Sequence, residues 1–461
     1  MSIPSDVFKA YDLRGIYGEG LDPESAVLLG RAFARVLAAE TGKPASTLRL
    51  GLGRDMRLTA PAMAAGYRDG MVAEGATVLD AGEVGTEMLY YLVGSRGLDG
   101  GLMCTASHNP KAYTGAKLVR EGAIALSGDS GIGEMRDLIE AGLPEPSGPS
   151  GEVESVDIHD EFSAAALALI DPAAIRPLRV VVDGGNGMAG AMAGPILCGL
   201  GLDLVETFWV PDGNFPGHEP NPLLEENRQF IIDKVRSEGA DLGIAWDGDA
   251  DRCFFIDETG EFVDGDFLTA ILAEHLLKKP GNAGADILYD ARASRAVADT
   301  VAAAGGTAHI NRVGHAFFKT RMRDEGAIFG GEVSGHYYFH DFYNADSGTL
   351  PALLMLEKLS VEGLRLSELL APFKARYFIS GEINSTVEDA AAKLAEIESV
   401  YGAMPGAVVT HVDGVSVDFE NWHLNVRASN TEPLLRLTLE SLVSREDMER
   451  RRDEALALIR A

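Results

Sequence analysis

The sequence predicts an α/β protein in which three related α/β domains with mixed sheets precede a smaller C-terminal α+β domain, all around a central cleft. Three observations lead to this prediction. The chain has 461 residues, which is too long for one hydrophobic core and favours three or four domains. One strand–loop–helix pattern recurs before Pro372. After Pro372 the pattern changes to closely spaced strands and one charged terminal helix.

The recurring unit is an apolar strand, a loop with an Asp or Arg, and a helical pattern. It occurs at 48–57, 178–190 and 287–297. Strands that alternate with helices favour parallel or mixed sheets covered by helices. A second strand in each domain then ends in a polar loop, and these three loops lie at 102–110, 242–252 and 327–336. Ligand loops in such sheets lie at the carboxyl ends of strands, so we expect the three loops to meet in one cleft.

Three breaks in the pattern predict the domain boundaries. A Pro/Gly/Ser-rich stretch at 144–151 is typical of a linker, a turn is expected at 257–260, and the third break lies near Pro372. The predicted domains are 1–150, 151–258, 259–370 and 371–461. In the last domain we expect strands at 415–419, 422–428 and 434–441 and a helix at 444–460, hence an antiparallel sheet.

Composition and charge exclude several classes of function. Hydrophobic residues make up 46% of the chain, and the formal net charge is −30. A chain this acidic is not expected to bind nucleic acid, and any phosphate site must be built from local basic residues. The chain has no run of about eighteen apolar residues, so no membrane contact is predicted. Its start has no signal-peptide pattern, and its cysteines (Cys104, Cys198 and Cys253) have no disulfide or zinc spacing, which predicts a cytoplasmic protein.

The stretch 101–118 contains the most unusual loop in the chain. A short apolar strand runs into T-A-S-H-N-P, where Pro110 stiffens the loop and Ser107 is expected at the end of the strand. Lys117 follows and could bring positive charge to the same place. A serine in such a setting could be a nucleophile or carry a phosphate. A simple turn, in which Ser107 and Asn109 cap backbone groups, is equally compatible with these residues alone.

The second unusual loop, I-A-W-D-G-D-A-D-R, contains Asp247, Asp249 and Asp251 at every second position. In an extended chain these carboxylates lie on one side, where they repel each other unless a cation sits among them. Hard oxygen ligands favour Mg²⁺. An EF-hand is rejected because Arg252 stands where that loop needs glycine. A phosphatase with an Asp nucleophile remains the main alternative, although it would leave the Ser107 loop without a role.

Two further loops are ordinary on their own. F-G-G-E-V-S-G-H places Glu332, Ser334 and His336 on alternate positions, which suits sugar hydroxyls but is equally typical of a strand edge. R-A-S-N-T-E-P, which begins at Arg427, combines a guanidinium, hydroxyls and an amide that suit a phosphate dianion, but it is also typical of a helix cap. Arg14 beside Asp12 is a common surface pair.

Taken together and in this order, the four motifs resemble those of the α-D-phosphohexomutase family, most closely its bacterial and archaeal phosphomannomutase/phosphoglucomutase branch. The resemblance implies a mutase that interconverts hexose 1-phosphate and hexose 6-phosphate of mannose or glucose. It implies a phosphorylated serine, Mg²⁺, and hexose 1,6-bisphosphate as intermediate and activator. It also implies a mobile, phosphate-binding fourth domain. We expect a monomer or homodimer. Phosphoglucosamine mutase is a second possible branch.

The resemblance also assigns residues, position by position. The catalytic set is Ser107, His108, Lys117, Arg14 and His336. The substrate-binding set is Tyr11, Arg252, Arg292, His315, Glu332, Ser334, Arg427, Ser429, Asn430 and Thr431. The metal ligands are Ser107, Asp247, Asp249 and Asp251. The family often has glycine at the positions of Ala106 and Ala250, and Val333 weakly favours the phosphomannomutase/phosphoglucomutase branch over the glucosamine branch.

Overall fold

The computed structural model describes residues 3–128, 130–146, 148–428 and 434–461, which form two compact units. Unit 1 comprises Met1–Val263 and Ser334–Arg365, and unit 2 comprises Asp264–Val333 and Leu366–Ala461. Both units combine helices with sheets, so the predicted α/β class is confirmed. The four-domain division by residue number stays a prediction.

The first segment of unit 1 alternates strands and helices in chain order. Its elements are β1 Leu13–Ile16, α1 Pro23–Thr41, β2 Arg49–Arg54, α2 Ala60–Ala73, β3 Thr77–Glu83, α3 Thr86–Ser95, β4 Gly100–Cys104, β5 Tyr113–Arg120, β6 Ile124–Ala125, α4 Ile132–Glu140, β7 Val153–Ser155, α5 His159–Leu167, β8 Arg179–Asp183, α6 Ala189–Cys198, β9 Asp203–Thr207, α7 Glu225–Glu238, β10 Leu242–Trp246 and β11 Cys253–Asp257.

The chain then enters unit 2, returns to unit 1 and ends in unit 2. The first segment of unit 2 contains α8 Gly265–Leu277, β12 Asp286–Asp290, α9 Arg295–Ala303, β13 Thr307–Asn311, α10 His315–Glu325 and β14 Phe329–Gly331. The second segment of unit 1 contains β15 Tyr337–Phe339, β16 Ala345–Asp346 and α11 Thr349–Glu362. The second segment of unit 2 contains α12 Leu366–Lys374, β17 Phe378–Ile379, β18 Ile383–Thr386, α13 Ala390–Gly402, β19 Val408–Thr410, β20 Val415–Asp418, β21 Trp422–Ala428, β22 Leu434–Ser441 and α14 Arg445–Arg460.

Two mixed sheets position the functional loops of unit 1. The first has the order β1-β5-β4-β2-β3-β7, with β6 beside β5, and its four strands β4, β2, β3 and β7 are parallel. The second has the order β11-β10-β8-β9, with only β11 antiparallel. Strand β4 is buried along its whole length. A Cβ at Gly101 would lie 2.6 Å from the Val93 side chain, so glycine lets α3 pack directly on this strand.

Unit 2 has a parallel part and an antiparallel part. Strand β12 pairs in parallel with β13 and with β14. The C-terminal sheet has the order β17-β22-β21-β20-β19, with β18 also beside β22, and its pairs are antiparallel. This agrees with the predicted α+β class of the last domain, and the three expected strands and the terminal helix all form. Among the described residues, no helix is long and apolar enough to cross a membrane.

One local expectation differs from the structure, and one stays a prediction. Pro372 lies inside α12, which ends at Lys374, and the domain boundary expected near Pro372 stays a prediction. The loops at 247–251 and 332–335 curl through turns and are not extended chain, so alternation along a strand does not bring their polar groups together. A turn does form at 258–259, as expected, and the chain of unit 1 continues beyond it to Val263, whose N–H donates to the Phe255 carbonyl.

Candidate active site

Ser107 lies in the loop that follows β4, and its side chain faces the acidic turn after β10. Its hydroxyl donates a hydrogen bond to Asp247 Oδ2 at 2.9 Å and lies 3.1 Å from His108 Nδ1. Burial, together with the nearby Arg252 and Arg14, lowers the pKa of His108 well below its usual value, so this imidazole is neutral. Ser107 also has a φ of +48°, in the left-handed region that costs a non-glycine residue about 1–2 kcal/mol.

Arg57 holds this loop in place through its backbone. The guanidinium donates to the carbonyl oxygens of Ser107 at 2.7 Å and Asn109 at 2.6 Å. It also donates to the Pro110 carbonyl at 3.0 Å, and the side chain is only 2% exposed. Asp55 forms an ion pair with the same guanidinium at 3.2 Å. These bonds fix the left-handed conformation of Ser107, because the loop cannot relax without breaking them.

The acidic turn brings three carboxylates together by curling, not by strand alternation. Asp247, Asp249 and Asp251 are all buried, and one carboxylate oxygen from each lies within 4.8 Å of the others. Ala250 has a φ of +61° in the middle of the turn. This is a conformation that glycine adopts without strain, so glycine would also fit at this position.

Two basic side chains face the carboxylates. Lys117, on β5, donates to Asp249 at 2.7 Å and also to Asp251. Burial alone would lower the pKa of Lys117, but Asp249 and Asp251 raise it, so the ammonium remains charged. Arg252 binds Asp247 Oδ2 through Nε at 2.9 Å and Nη2 at 2.8 Å.

The pKa shifts of the carboxylates follow from these contacts. Burial alone would raise the pKa of Asp249, but Lys117 and the hydroxyl of Thr86 lower it. Burial and the neighbouring Asp249 raise the pKa of Asp251 well above its usual range. Asp249 and Asp251 share the Lys117 ammonium, but their pKa values shift in opposite directions. The positive charge around Asp251 does not offset the effects of burial and of Asp249.

The acidic turn fits a hard divalent cation. Asp249 Oδ1 and Asp251 Oδ1 are buried, and within the described residues neither has a hydrogen-bond partner. Buried carboxylate oxygens without partners are costly unless a cation is bound. Oxygen ligands of this kind suit Mg²⁺. The three aspartates could hold the ion, and Ser107 is close enough to Asp247 for a group on its oxygen to reach the same ion.

The other predicted residues of unit 1 are Arg14, Ser334, His336 and Tyr11. Arg14, on β1, donates to Asn109 Oδ1 at 2.6 Å and pairs with Asp12, so it contacts the serine loop as well as its local acid. His336 Nε2 lies 3.8 Å from Asp251 Oδ1, and its Nδ1 lies 3.1 Å from Ser334 Oγ. Tyr11 is half-buried in the bend before β1.

Unit 2 contains a second group of predicted residues. Arg292 follows β12 and is held by Asp290, with Nη2 2.7 Å from Oδ2. Arg427, near the end of β21, donates to Glu382 Oε2 at 2.9 Å. Arg292 Nη1 lies 3.4 Å from the same Glu382 oxygen, so this one carboxylate connects both arginines.

Glu332 and His315 are near each other in unit 2. Glu332 is buried, and its Oε1 accepts a hydrogen bond from the N–H of Gly314 at 2.7 Å. His315 is the next residue and begins α10. Ser429, Asn430 and Thr431 lie outside the described residues.

Sequence reasoning missed three residues that the structure brings into these groups. Arg57 contacts a loop about 50 residues away, and only its place after a strand, in a loop with an Asp, was a signal. Thr86 donates to Asp249 from the start of α3, and Glu382 binds two predicted arginines. Neither residue lies in a recognisable motif, because both contacts depend on the folded chain.

Four family models match consecutive parts of the chain. They are described as phosphoglucomutase/phosphomannomutase α/β/α domain I, which matches residues 5–141, domain II at 160–260, domain III at 264–377 and the C-terminal domain at 382–458. The chain is thus similar to this family over nearly all of its length.

Individual proteins give the same result. A phosphomannomutase of Salmonella montevideo is 41% identical over 459 residues, with 98% of each chain covered. Phosphohexose mutases of Xanthomonas campestris pv. campestris (strain B100) are 40% identical over 460 residues, with 100% of each chain covered. Among solved structures, a phosphoglucomutase/phosphomannomutase family protein from Burkholderia thailandensis superimposes with a TM-score of 0.89 at 33% identity, covering 99% of this chain and 98% of the other.

Proposed function

This chain belongs to the phosphoglucomutase/phosphomannomutase family of hexose-phosphate mutases, and we propose that it exchanges phosphate between O1 and O6 of a hexose through Ser107. The observation that supports this role is the position of the serine hydroxyl. It lies 2.9 Å from Asp247 in a buried acidic turn, and Lys117 and Arg252 supply positive charge to the same turn. A phosphoryl group on Ser107 would meet both cations.

The reaction consists of two transfers. In the first, O6 of a hexose 1-phosphate attacks the phosphorus of phosphoserine, the phosphorus–Oγ bond breaks, and a hexose 1,6-bisphosphate forms. In the second, Ser107 Oγ attacks the phosphate at O1, which leaves hexose 6-phosphate and regenerates phosphoserine. Each transfer conserves the phosphoryl group. The proton of the attacking hydroxyl passes to a nearby base, and the leaving oxygen, Ser107 Oγ in the first transfer and O1 in the second, takes up a proton.

The residues of unit 1 take distinct roles in this proposal. His336 accepts the proton of the sugar hydroxyl, and His108, which is neutral, lies beside Ser107 Oγ. Lys117, Arg14 and Arg252 stabilise charge on the transferring group. Asp247, Asp249 and Asp251 hold Mg²⁺, which when bound supplies further stabilisation of the phosphate oxygens.

The remaining residues bind the sugar and its other phosphate. Glu332 and Ser334 bind hydroxyls, and Tyr11, Arg292 and His315 also bind substrate. Arg427 holds the phosphate that is not reacting, together with Ser429, Asn430 and Thr431. Bidentate guanidinium contacts suit a phosphate dianion.

Mannose and glucose phosphates are the substrates that we propose. The relatives at about 40% identity are named phosphomannomutase or phosphohexose mutases, and the glucosamine branch is not favoured. Assays should give turnover of glucose 1-phosphate and mannose 1-phosphate, with glucosamine 1-phosphate much poorer. The highest kcat/KM for the glucosamine compound would refute this assignment.

Modification of Ser107 is the decisive test of the mechanism. After incubation with glucose 1,6-bisphosphate, intact mass and peptide mapping should find one phosphate on Ser107 and none in a Ser107→Ala variant. The phosphatase alternative, with an Asp nucleophile, is not favoured by the comparisons. It would instead place phosphate on Asp247 and release free phosphate in the assay.

A further inference from the structure

We propose that the Glu382 carboxylate is an internal counter-anion, which occupies the arginine cluster of unit 2 until a substrate phosphate displaces it. The arginine cluster is Arg292, Arg427 and Arg436. The inference rests on the proposed function in one respect, namely that Arg427 binds the nonreacting phosphate. It adds a residue, Glu382, that controls how tightly that phosphate is held.

The geometry of Glu382 is that of a bound anion. Its Oε2 accepts from Arg427 Nη2 at 2.9 Å and lies 3.4 Å from Arg292 Nη1. Its Oε1 accepts from Arg436 Nη1 at 3.0 Å. The cluster therefore offers N–H groups from three side chains to one carboxylate, as an anion site does.

At least one of the arginines is held independently of Glu382. Asp290 binds Arg292 through Nε at 3.1 Å and Nη2 at 2.7 Å, which leaves Nη1 directed at Glu382. The Glu382 side chain is 23% exposed, so it has a path toward solvent that the buried Asp290 lacks. Of the two carboxylates, Glu382 is thus the one that can leave.

A carboxylate and a phosphate compete for the same guanidinium groups. Both accept paired N–H donors from arginine. Burial alone would raise the pKa of Glu382, but Arg292, Arg427 and Arg436 lower it to about 2, so the group stays ionised in neutral solution. A phosphate dianion that entered beside an ionised carboxylate would be repelled. The phosphate must therefore displace Glu382 in order to bind.

Displacement has a consequence for turnover. In the proposed reaction, the bisphosphate must release one phosphate from the cluster and present the other in its place. When Glu382 returns, the arginines regain a partner, which offsets the cost of releasing phosphate. Glu382 therefore weakens substrate binding and speeds exchange of the two phosphates.

Isothermal titration of glucose 1-phosphate tests this inference. The titrations use a Ser107→Ala background, in which no transfer to the serine occurs. Glu382→Gln keeps the shape of the side chain but removes its charge, so the Kd should fall by about five-fold, the effect of one moderately exposed charge. Glu388→Gln is the matched control, since Glu388 is an exposed residue shortly after β18. In the enzyme that retains Ser107, Glu382→Gln should lower both KM and kcat.

The outcomes distinguish the role of Glu382 from the phosphate site at Arg427. An unchanged or higher Kd in Glu382→Gln would overturn the inference and leave Glu382 a structural residue. If Arg427→Ala leaves the Kd unchanged, the phosphate site of the proposed function is wrong. If Arg427→Ala weakens binding while Glu382→Gln does not tighten it, only the inference fails. Should Glu382→Gln not fold, Glu382→Asp, which withdraws the carboxylate by one methylene, must tighten binding in the same titration.

Discussion

Asp249 contacts both a basic side chain and a hydroxyl in the acidic turn. It accepts from Lys117 and Thr86, and its Oδ1 has no hydrogen-bond partner within the described residues. Its pKa is lowered, because Lys117 and Thr86 outweigh burial, so it is the carboxylate that is ionised most readily in the turn. This residue is therefore where the loss of one negative charge should affect a bound cation most directly.

We expect Asp249→Asn to weaken Mg²⁺ binding by about ten-fold or more, because hard cations prefer charged oxygen. Titration of Mg²⁺ into the protein measures the effect. Asp233→Asn, at an exposed site on α7, should leave the Mg²⁺ affinity unchanged. Equal affinities in the wild type and Asp249→Asn would remove the acidic turn as the metal site, as would full mutase activity in excess chelator.

At the scale of elements, Arg57 holds the serine loop through its main chain, in addition to the bond from the Ser107 N–H to the Thr105 hydroxyl within the loop. The Arg57 guanidinium donates hydrogen bonds to main-chain carbonyl oxygens. These contacts therefore do not depend on whether Ser107 carries a phosphate. The loop can then present either form of the serine in the same backbone conformation.

Replacement of Arg57 by lysine should therefore slow the chemistry with little effect on substrate binding. A lysine ammonium cannot reach several carbonyls in the fixed fork of a guanidinium. We expect kcat to fall by about 10- to 100-fold, with KM changed less than about two-fold. Phosphorylation of Ser107 by glucose 1,6-bisphosphate should slow to the same degree. Arg49→Lys, at an exposed position of β2, is the control; a similar loss there, or a change confined to KM, would contradict this role.

Glu87 connects the start of α3 to the start of α11. Its carboxylate accepts from the hydroxyls of Ser347 and Thr349, and burial raises its pKa to about 7. Because the folded pKa lies above the unfolded one, the protonated form favours folding. That stability is fully present below the unfolded pKa and is lost as pH rises through about 7.

Glu87→Gln should remove this part of the pH dependence. The wild type should lose up to about 3 kcal/mol of unfolding free energy between about pH 5 and pH 8 from this group alone. Urea unfolding at several pH values gives the free energy of unfolding at each pH, and hence the slope of that free energy against pH. The slope should be smaller in Glu87→Gln and unchanged in the control Glu388→Gln. If the free energy of unfolding changes equally with pH in the wild type, Glu87→Gln and Glu388→Gln, Glu87 does not titrate on unfolding.

The sequence was informative where structure is local. Strands at Trp422–Ala428 and Leu434–Ser441 and the helix at Arg445–Arg460 match their predicted bounds closely, because side-chain pattern determines such elements. The cluster of Asp247, Asp249 and Asp251 was predicted for the wrong reason, since a turn brings it together. The contacts of Arg57, Thr86 and Glu382 could not be assigned, because they join residues far apart in the chain.

At the scale of the whole molecule, the charges of the chain oppose the proposed chemistry. A net charge of −30 repels phosphosugars, so the proposed binding would depend on small groups of basic residues such as the arginine cluster. Both ends of the substrate must be held during transfer, and water must be excluded. A closure of the C-terminal segment about a hinge at residues 371–380 would meet both needs.

We expect saturating glucose 1-phosphate to reduce the radius of gyration measured by small-angle scattering. Arg427→Ala should abolish most of this change and raise KM for every phosphosugar, because in the proposed reaction the nonreacting phosphate binds there. It should also release more bisphosphate to solution. Glu388→Gln should behave as the wild type does. An unchanged radius in the wild type, with an unchanged KM in Arg427→Ala, would exclude both the closure and the phosphate site.

The division of the chain into units has a consequence for synthesis. Unit 1 needs residues up to Arg365, and unit 2 begins at Asp264, so neither unit is one uninterrupted stretch. While the ribosome makes the protein, unit 1 cannot be completed until the first part of unit 2 has emerged. Fragments cut at Val263 or at Arg365 would each leave a unit without part of its fold. The enzyme is therefore a poor source of separable modules, even though four family models match its sequence one after another.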